Sequence, residues 1–454
     1  MNLKISSYEI VETTDATRRK RLPEHAGEIL QWVLVLGLCA LLVFAVLAFG
    51  AVDAWSTFAF EAGAAVLFVV WAAKQIISRQ LKLSKNSLYL PAFLFFILIL
   101  AQLALRRSAY GYITQYEALQ YVSYGIVLLI GAECVREEHT RKVFSLVMIA
   151  FGAGYAFFAL AQELTSNGKI FWVHSPHFRG SMYGSYVDHD HYAGLMEMLV
   201  PIPFVVSMGH LLVGGKRALV GACAVLMAGT IFLSGSRGGM LAFVVEMALF
   251  AALTQGKRRS PRLAMGSMAV CVLVLVLLIF VGRGQVLGRL GDLSPGIRLG
   301  ITTDSLKMFS RRPIWGWGLG TFSTIYPSFR SFPTNLFVNE AHNDYAQLLV
   351  ETGLLGFGLM LWFLERLYRQ GLPTSRRWEF QWDAALSLAA LLGCTGILLH
   401  SFVDFNLQIP ANAALFYVLC GLAAARPWGE SSGPRRTRAI REEGDQGPWY
   451  SVGQ

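Results

Sequence analysis

Residues 339–365 read NEAHNDYAQLLVETGLLGFGLMLWFLE, a polar stretch that passes directly into an apolar one. As a helix, the apolar part is long enough to cross the roughly 30 Å hydrocarbon core of a bilayer. The polar part places His342 between Glu340 and Asp344, at the mouth of this span. Because ionisable groups at membrane depth are destabilising, this arrangement favours a functional role for the three residues.

Apolar segments of similar length recur along the whole chain of 454 residues. Apolar residues make up 54% of the sequence and charged residues 15%, which excludes an ordinary soluble protein of this size. We predict an all-α polytopic membrane protein with about 12 transmembrane helices. The predicted spans lie near residues 30–50, 54–73, 88–105, 114–133, 143–163, 191–213, 217–234, 238–254, 263–282, 343–365, 384–403 and 410–425.

The basic residues orient these spans, because Lys and Arg in short loops remain on the cytoplasmic side. With the N-terminus inside, 27 Lys and Arg lie in cytoplasmic segments and 12 in outer segments. Seven of those 12 lie in one loop, 283–342, which is too long for the rule to apply strongly. We therefore predict cytoplasmic termini. The net charge of +10 belongs mainly to the cytoplasmic face and gives no reason to expect nucleic-acid binding.

The chain divides into three predicted parts. Residues 1–29 form a cytoplasmic N-terminal segment, in which we identify no removable signal peptide. Residues 30–425 form one transmembrane domain, with an outer loop at 164–190 and a large outer loop at 283–342. Residues 426–454 are polar and basic, which predicts a disordered cytoplasmic tail.

In this topology the unusual polar residues gather on the outer side of the membrane. They occur in the loop 164–190, the hairpin 234–239, the loop 283–342 and the segment 400–406. Four polar clusters on one face predict a single site that opens outward.

Arg237 lies in a hairpin of small residues, where glycines let two helix ends approach and leave backbone N–H groups free. Its guanidinium group matches phosphate oxygens, although it could instead extend toward lipid headgroups. Arg298 lies in the stretch 296–311, whose apolar spacing predicts an amphipathic helix on the outer membrane surface. Such a helix could hold Arg298 over the hairpin.

His342 has two interpretations. A neutral imidazole could accept a proton from a hydroxyl nucleophile, or it could only form a structural hydrogen bond where Asn343 or Asp344 caps the next helix. Asp344, Gln347 and Glu351 then follow at spacings that place them on one helix face. This polar stripe extends about 10 Å into the membrane and is predicted to line a cavity.

Three further patterns call for simpler interpretations. The run 188–191 contains two Asp and two His residues, but neighbouring ligands seldom converge, so we predict no metal and no cofactor. His400 and Asp404 are spaced for a hydrogen bond to each other. The glycines in 316–322 resemble a dinucleotide-binding pattern, yet no strand precedes them, which favours a tight turn.

Taken together, these motifs resemble the bacterial O-antigen ligase and O-antigen polymerase superfamily. The resemblance covers about residues 170–425 and rests on the segments 186–201, 234–239, 316–322, 342–345, 351–353 and 400–406. It implies a fold of the GT-C glycosyltransferase type and a metal-independent glycosyltransferase in the bacterial inner membrane. The active site would face the periplasm, and the donor would be a glycan linked to undecaprenyl diphosphate.

The resemblance also implies roles for individual residues. By motif, Arg237 and Arg298 would hold the diphosphate and His342 would activate the acceptor, and we predict these three as catalytic. The predicted substrate-binding residues are Arg179, His191, Ser236, Arg311, Arg312, Asn343, Asp344, Glu351 and Asp404.

Several alternatives remain open from the sequence. Asp188 and Asp190 stand where relatives often carry Asn, so their loop could bind donor or acceptor. The chain could be a ligase that transfers the glycan to lipid A–core, or a polymerase that extends lipid-linked O-antigen or exopolysaccharide repeats. A transporter of lipid-linked glycan without chemistry is a third possibility, but we identify only Glu61 and Glu246 as ionisable residues near the midplane.

Overall fold

The computed structural model describes residues 6–79, 81, 83–175, 181–254, 295–334 and 337–425. In these ranges the chain forms helices joined by turns, and it contains no β-strand beyond two isolated bridges. The α-helices are α1 (Ser6–Leu47), α2 (Ala54–Ile77), α3 (Tyr89–Ala104), α4 (Gly111–Cys134), α5 (Glu138–Leu164), α6 (His189–Leu199), α7 (Pro201–Met208), α8 (Gly214–Ser234), α9 (Arg237–Thr254), α10 (Pro295–Arg311), α11 (Phe322–Ile325), α12 (Asp344–Thr374), α13 (Trp382–His400) and α14 (Pro410–Ala424).

The helices confirm an all-α polytopic membrane protein. Among the described residues, 8 helices are long and apolar enough to cross a membrane, and α3 and α14 are shorter apolar helices. Helix α4 occupies the predicted span 114–133 and has 24 residues, but it carries polar side chains such as Gln115 and Glu117. The predicted span 263–282 and the predicted tail 426–454 lie outside the described residues, so the count of twelve stays a prediction.

Two spans form the centre of the bundle. The span His189–Met208, made of α6 and α7, is 94% buried and α13 is 83% buried, whereas the other candidate spans are 33–44% buried. A helix surrounded by protein on all sides can carry polar groups without exposing them to lipid. The start of α6 and the end of α13 are therefore suited to hold a polar site.

Helix α12 is broken at Gly353, which has φ 64° and ψ −163°. The break frees backbone groups, and in a membrane such groups must find partners within the protein. The carbonyls of Val350 and Glu351 accept hydrogen bonds from the backbone N–H groups of Trp317 and Gly318, at 2.9 Å each. The glycine segment 316–320 is thus a tight turn, as predicted, and it completes the broken helix.

Helix α10 confirms the helix predicted over 296–311. Its apolar residues Ile301 and Met308 are buried in a small core with Phe322, Tyr326 and Val350. The apolar face therefore packs on the chain itself, chiefly on α12 and the segment before it. Its position relative to the membrane surface stays a prediction.

Candidate functional site

Asp404 is fully buried between two histidines that come from distant parts of the sequence. Its Oδ1 lies 3.6 Å from Nδ1 of His342, and its Oδ2 lies 3.6 Å from Nε2 of His191. Both imidazole rings also stand edge-on to Phe405. Within the described part of the chain, the facing atoms of Asp404 Oδ1, His191 and His342 have no hydrogen-bond partner.

The surroundings of Asp404 affect its ionisation. Burial by itself raises the pKa of the Asp404 carboxyl, but the adjacent His342 ring, together with His191 and His400, outweighs that effect. The pKa of Asp404 is therefore held below its ordinary value. The site thus contains a stable buried anion directly beside His342.

The backbone of His342 adopts a left-handed conformation, with φ 51°. This conformation is uncommon for residues other than glycine and persists only where neighbouring contacts fix it. Here the neighbouring N–H groups are both bound: Ala341 donates to Gln347 Oε1 at 2.9 Å, and Asp344 donates to the Ser401 carbonyl at 3.0 Å. The chain thereby directs the His342 side chain toward Asp404.

The start of α12 is joined to the segment 400–408. Asn343 caps the helix, since its Oδ1 accepts from the Ala346 N–H at 2.9 Å, and its Nδ2 donates to the Phe402 carbonyl at 2.9 Å. The buried Asp344 carboxylate accepts from the Ser401 hydroxyl at 2.7 Å and from the Leu407 N–H at 3.1 Å. Both residues therefore fix the loop that carries His342 and Asp404.

Arg298 joins the same segment from α10. Its Nη1 donates to the Val403 carbonyl at 2.8 Å, and its Nη2 lies 3.3 Å from Asp190 Oδ2. Asp190 follows the start of α6, so the arginine connects three elements. The negative charge that the sequence places at Asp190 is thus paired with a cation. Nε of Arg298 is buried and has no hydrogen-bond partner among the described residues.

The hairpin that carries Arg237 is ordered by its small residues. Helix α8 ends at Ser234 and is followed by the cap residue Gly235, which has φ 83°. The buried Ser236 then caps α9, because its Oγ accepts from the Gly239 N–H at 3.1 Å. Arg237 is the first residue of α9 and is exposed. No hydrogen bond or ion pair to another described residue holds its guanidinium group.

The hairpin also touches the segment 400–404. A Cβ atom built on Gly238 would lie 2.5 Å from Nε2 of His400 and 3.0 Å from Cγ2 of Val403. Each residue of 400–404 therefore contacts a different part of the site. His400 contacts the Arg237 hairpin, and Asp404 faces the two histidines. Between them, Ser401 binds Asp344, Phe402 binds Asn343 and Val403 binds Arg298. This segment brings together groups that are far apart in the sequence.

An apolar cavity of about 540 Å³ opens beside this segment, between α3, α4, α12 and α14. Its lining is mainly aromatic and aliphatic, with Asp344 and Gln408 among the few polar residues. On α12 the lining extends from Asp344 to Leu364, about 30 Å at the rise of an α-helix. The cavity is therefore long, apolar and bounded at one place by the polar site.

A comparison with protein-family models finds one similarity over part of the chain. Residues 222–361 match the model described as O-antigen ligase. This part of the chain is similar to the O-antigen ligase family. The matched residues include Arg237, Arg298 and His342, which confirms the resemblance stated from the sequence motifs. Members of this family are ligases and polymerases of the glycosyltransferase kind. A comparison with the curated proteins finds no match.

The fold does not bring every predicted site residue to the segment 400–404. Glu351 Oε1 accepts from the Phe322 N–H at 3.1 Å and so holds the glycine turn. Arg312 donates to the Arg107 carbonyl at 3.0 Å and lies over the Trp317 ring, while Arg311 is exposed at the end of α10. Arg179 lies outside the described residues.

The predicted polar stripe of α12 also has more than one role. Asp344, Gln347 and Glu351 are all buried. Only Asp344 borders the apolar cavity. Gln347 and Glu351 instead bind backbone N–H groups of the preceding loop. The prediction that the stripe lines a cavity therefore holds for its first residue.

The predicted hydrogen bond between His400 and Asp404 is wrong. His400 Nδ1 is instead 2.9 Å from Oε1 of Glu197, and both side chains are buried. His400 is the last residue of α13 and faces α6, whereas Asp404 lies beyond the helix end and faces the two histidines. Glu197 is missing from the residues predicted near the midplane. Its position inside the predicted span 191–213 was a sufficient signal, because an ionisable residue within a span is a functional candidate by default.

Three ligand atoms at the start of α6 lie close enough together for a metal ion. Those of Asp188, His189 and Asp190 are within 4.8 Å of one another. Two of these residues already have structural contacts, since Asp188 caps α6 and Asp190 is paired with Arg298. The expectation that the domain works without a metal therefore stays a prediction.

Proposed function

We propose that this protein transfers a glycan from undecaprenyl diphosphate to an acceptor hydroxyl on the periplasmic side of the bacterial inner membrane. Lipid A–core is the proposed acceptor. The observation that carries the proposal is the segment 400–404, which contacts the hairpin of Arg237, the Arg298 side chain and, through Asp404, His342. Two cations and an imidazole are thereby assembled around one place.

The two arginines suit the donor. A sugar attached to a diphosphate already has a good leaving group, so catalysis consists mainly of stabilising the charge that develops on the departing oxygen. Guanidinium groups form charge-assisted hydrogen bonds with phosphate oxygens. Arg237 is exposed, and Arg298 keeps Nε without a partner within the described ranges. In this proposal both contact the diphosphate.

His342 suits the acceptor. Asp404 faces Nδ1, so the carboxylate favours the tautomer that carries its proton on this nitrogen and leaves Nε2 as the base. Nε2 removes the proton of the acceptor hydroxyl while its oxygen attacks the anomeric carbon of the donor sugar. The bond from that carbon to the phosphate oxygen breaks, and its electron pair leaves with undecaprenyl diphosphate. The resulting imidazolium is stabilised by the buried anion of Asp404.

The apolar cavity could hold the polyprenyl chain of undecaprenyl diphosphate, the lipid carrier of the glycan. A polyprenyl chain is long and purely apolar, and the cavity lining is mainly aromatic and aliphatic along α12. Asp344 borders the cavity and also binds Ser401 within the segment 400–404. A chain in the cavity would therefore place its diphosphate near the arginines. The proposed chemistry requires neither a metal nor a cofactor.

Purified protein with a lipid-linked glycan and lipid A–core provides the test. Glycan attached to lipid A–core, with release of undecaprenyl diphosphate, would support the proposal. Longer glycans that remain on the carrier would instead identify a polymerase. Movement of the carrier across vesicles without a new glycosidic bond would identify a transporter and contradict the proposal.

A further inference from the structure

The glycines next to Arg237 lie directly on a buried acid–base pair. A Cβ atom built on Gly238 would lie 2.5 Å from His400, and one built on Gly239 would lie 2.8 Å from Oε1 of Glu197. These distances are far below ordinary contact, so the first turn of α9 fits against the pair only because both positions lack a side chain. The pair therefore determines how closely the Arg237 hairpin approaches α6 and α13.

The pair itself is well defined. His400 Nδ1 and Glu197 Oε1 are 2.9 Å apart, and the two residues are 1% and 0% exposed. Removing one partner would leave the other buried without its hydrogen bond, which is strongly unfavourable in a low-dielectric interior. The pair consequently holds the end of α13 against α6 in one arrangement.

The same end of α13 leads directly into the segment 400–404. Val403 accepts from Arg298, and Asp404 faces His342. A displacement of His400 would thus move the Arg237 hairpin relative to the other two predicted catalytic groups. Because phosphate recognition by arginine depends on geometry, such a displacement should weaken binding of the diphosphate.

We propose that Glu197 and His400 are positioning residues that set Arg237 at the distance required to bind the donor diphosphate. This inference rests on the proposed function. Neither side chain contacts the substrate in this scheme. They act through the first turn of α9, on which Arg237 is carried.

Two Glu197 variants distinguish the effect of the hydrogen bond to His400 from the effect of side-chain volume. Glu197→Leu fills the space but cannot accept the hydrogen bond from His400, whereas Glu197→Gln still can. The purified full-length Glu197→Leu protein should bind undecaprenyl diphosphate with a dissociation constant about 10-fold higher or more, which corresponds to the loss of one charge-assisted hydrogen bond. The dissociation constant of Glu197→Gln should stay within about 2-fold of wild type. The KM for the lipid-linked donor should rise in parallel, and the KM for the acceptor should not change.

Tyr368→Phe is the control, because it removes a partly buried hydrogen bond from Tyr368 on α12 to Thr395 on α13, the helix that carries His400. It should leave the affinity for undecaprenyl diphosphate unchanged. If Glu197→Leu does not fold, Gly238→Ala tests the same contact by displacing His400, and it should raise the dissociation constant similarly.

Wild-type affinity in Glu197→Leu or Gly238→Ala would overturn the inference, as would an equal loss in Tyr368→Phe. The proposed function would fail separately, if Arg237→Ala also bound undecaprenyl diphosphate with wild-type affinity. A weakened Arg237→Ala beside an unchanged Glu197→Leu would reject only the positioning role.

Discussion

Asp404 and His342 face each other across 3.6 Å, from Oδ1 to Nδ1, although 61 residues separate them in the chain. The buried carboxylate faces the imidazole ring of a residue whose backbone is in a left-handed conformation. A general base must be held within reach of the proton that it removes, and the proposed role of His342 depends on this relationship.

His342→Ala and Arg237→Ala should each reduce transfer at least about 100-fold while the protein remains inserted and folded. The first variant removes the proposed base, and the second removes a cation from the proposed diphosphate site. Product formed per minute by membranes with equal protein content is the measurement. Arg369→Ala is the control, because Arg369 is exposed and pairs only with the nearby Glu365 in the described structure. Near-normal product from both site variants would contradict the site assignment.

Asp404→Asn should lower thermal stability at pH 7 and slow transfer. The pKa of Asp404 is lower in the folded protein than its ordinary value of 3.8. The ionised carboxylate therefore stabilises the folded protein above pH 3.8, and this stabilisation is lost as the pH falls below 3.8. Thermal unfolding in detergent at pH 7 and at pH 3 measures this effect. The difference in melting temperature between wild type and variant should shrink at pH 3. A difference that grows toward acid would show that the sign of the shift is wrong.

Gly353→Ala should destabilise the protein by about 2 kcal/mol or more, since its positive φ is strained for any side chain. The new Cβ would also lie 2.3 Å from the Ile314 carbonyl oxygen. Gly358→Ala on the same helix has no atom within 4 Å of its Cβ and should be neutral or slightly stabilising. The measurement is the melting temperature of both variants. Equal effects at the two positions would argue against the role of the helix break.

Transfer should continue after treatment with a strong chelator, because the proposed chemistry relies on guanidinium groups in place of a metal ion. The rate before and after chelation, followed by addition of single divalent metals, is the measurement. If chelation abolished activity and one metal restored it, the cluster of Asp188, His189 and Asp190 would become the leading metal site.

Local patterns in the sequence were sufficient for much of the fold. The apolar runs gave the positions of the spans, and helix α10 appeared where its apolar spacing indicated. The cap at Asn343 and the turn at Gly316 also follow from neighbouring residues alone. Each of these features depends on interactions within a few residues, which a sequence pattern records directly.

The partners of buried polar groups could not be predicted from local sequence patterns. His400 pairs with Glu197, 203 residues away, and not with its neighbour Asp404. The orphaned carbonyls at the break in α12 are bound by the turn that contains Gly318. Which groups meet depends on how whole helices pack, and a spacing of four residues cannot show which face of a helix a distant partner approaches.

The sequence by itself thus determined a helical membrane protein with polar clusters on one predicted face, because hydrophobicity and charge act on each segment separately. Only the tertiary structure decided that the five residues 400–404 contact the hairpin of Arg237, Arg298 and His342. The physical reason is that buried polar groups must be paired, and the packing of remote helices selects the available partners.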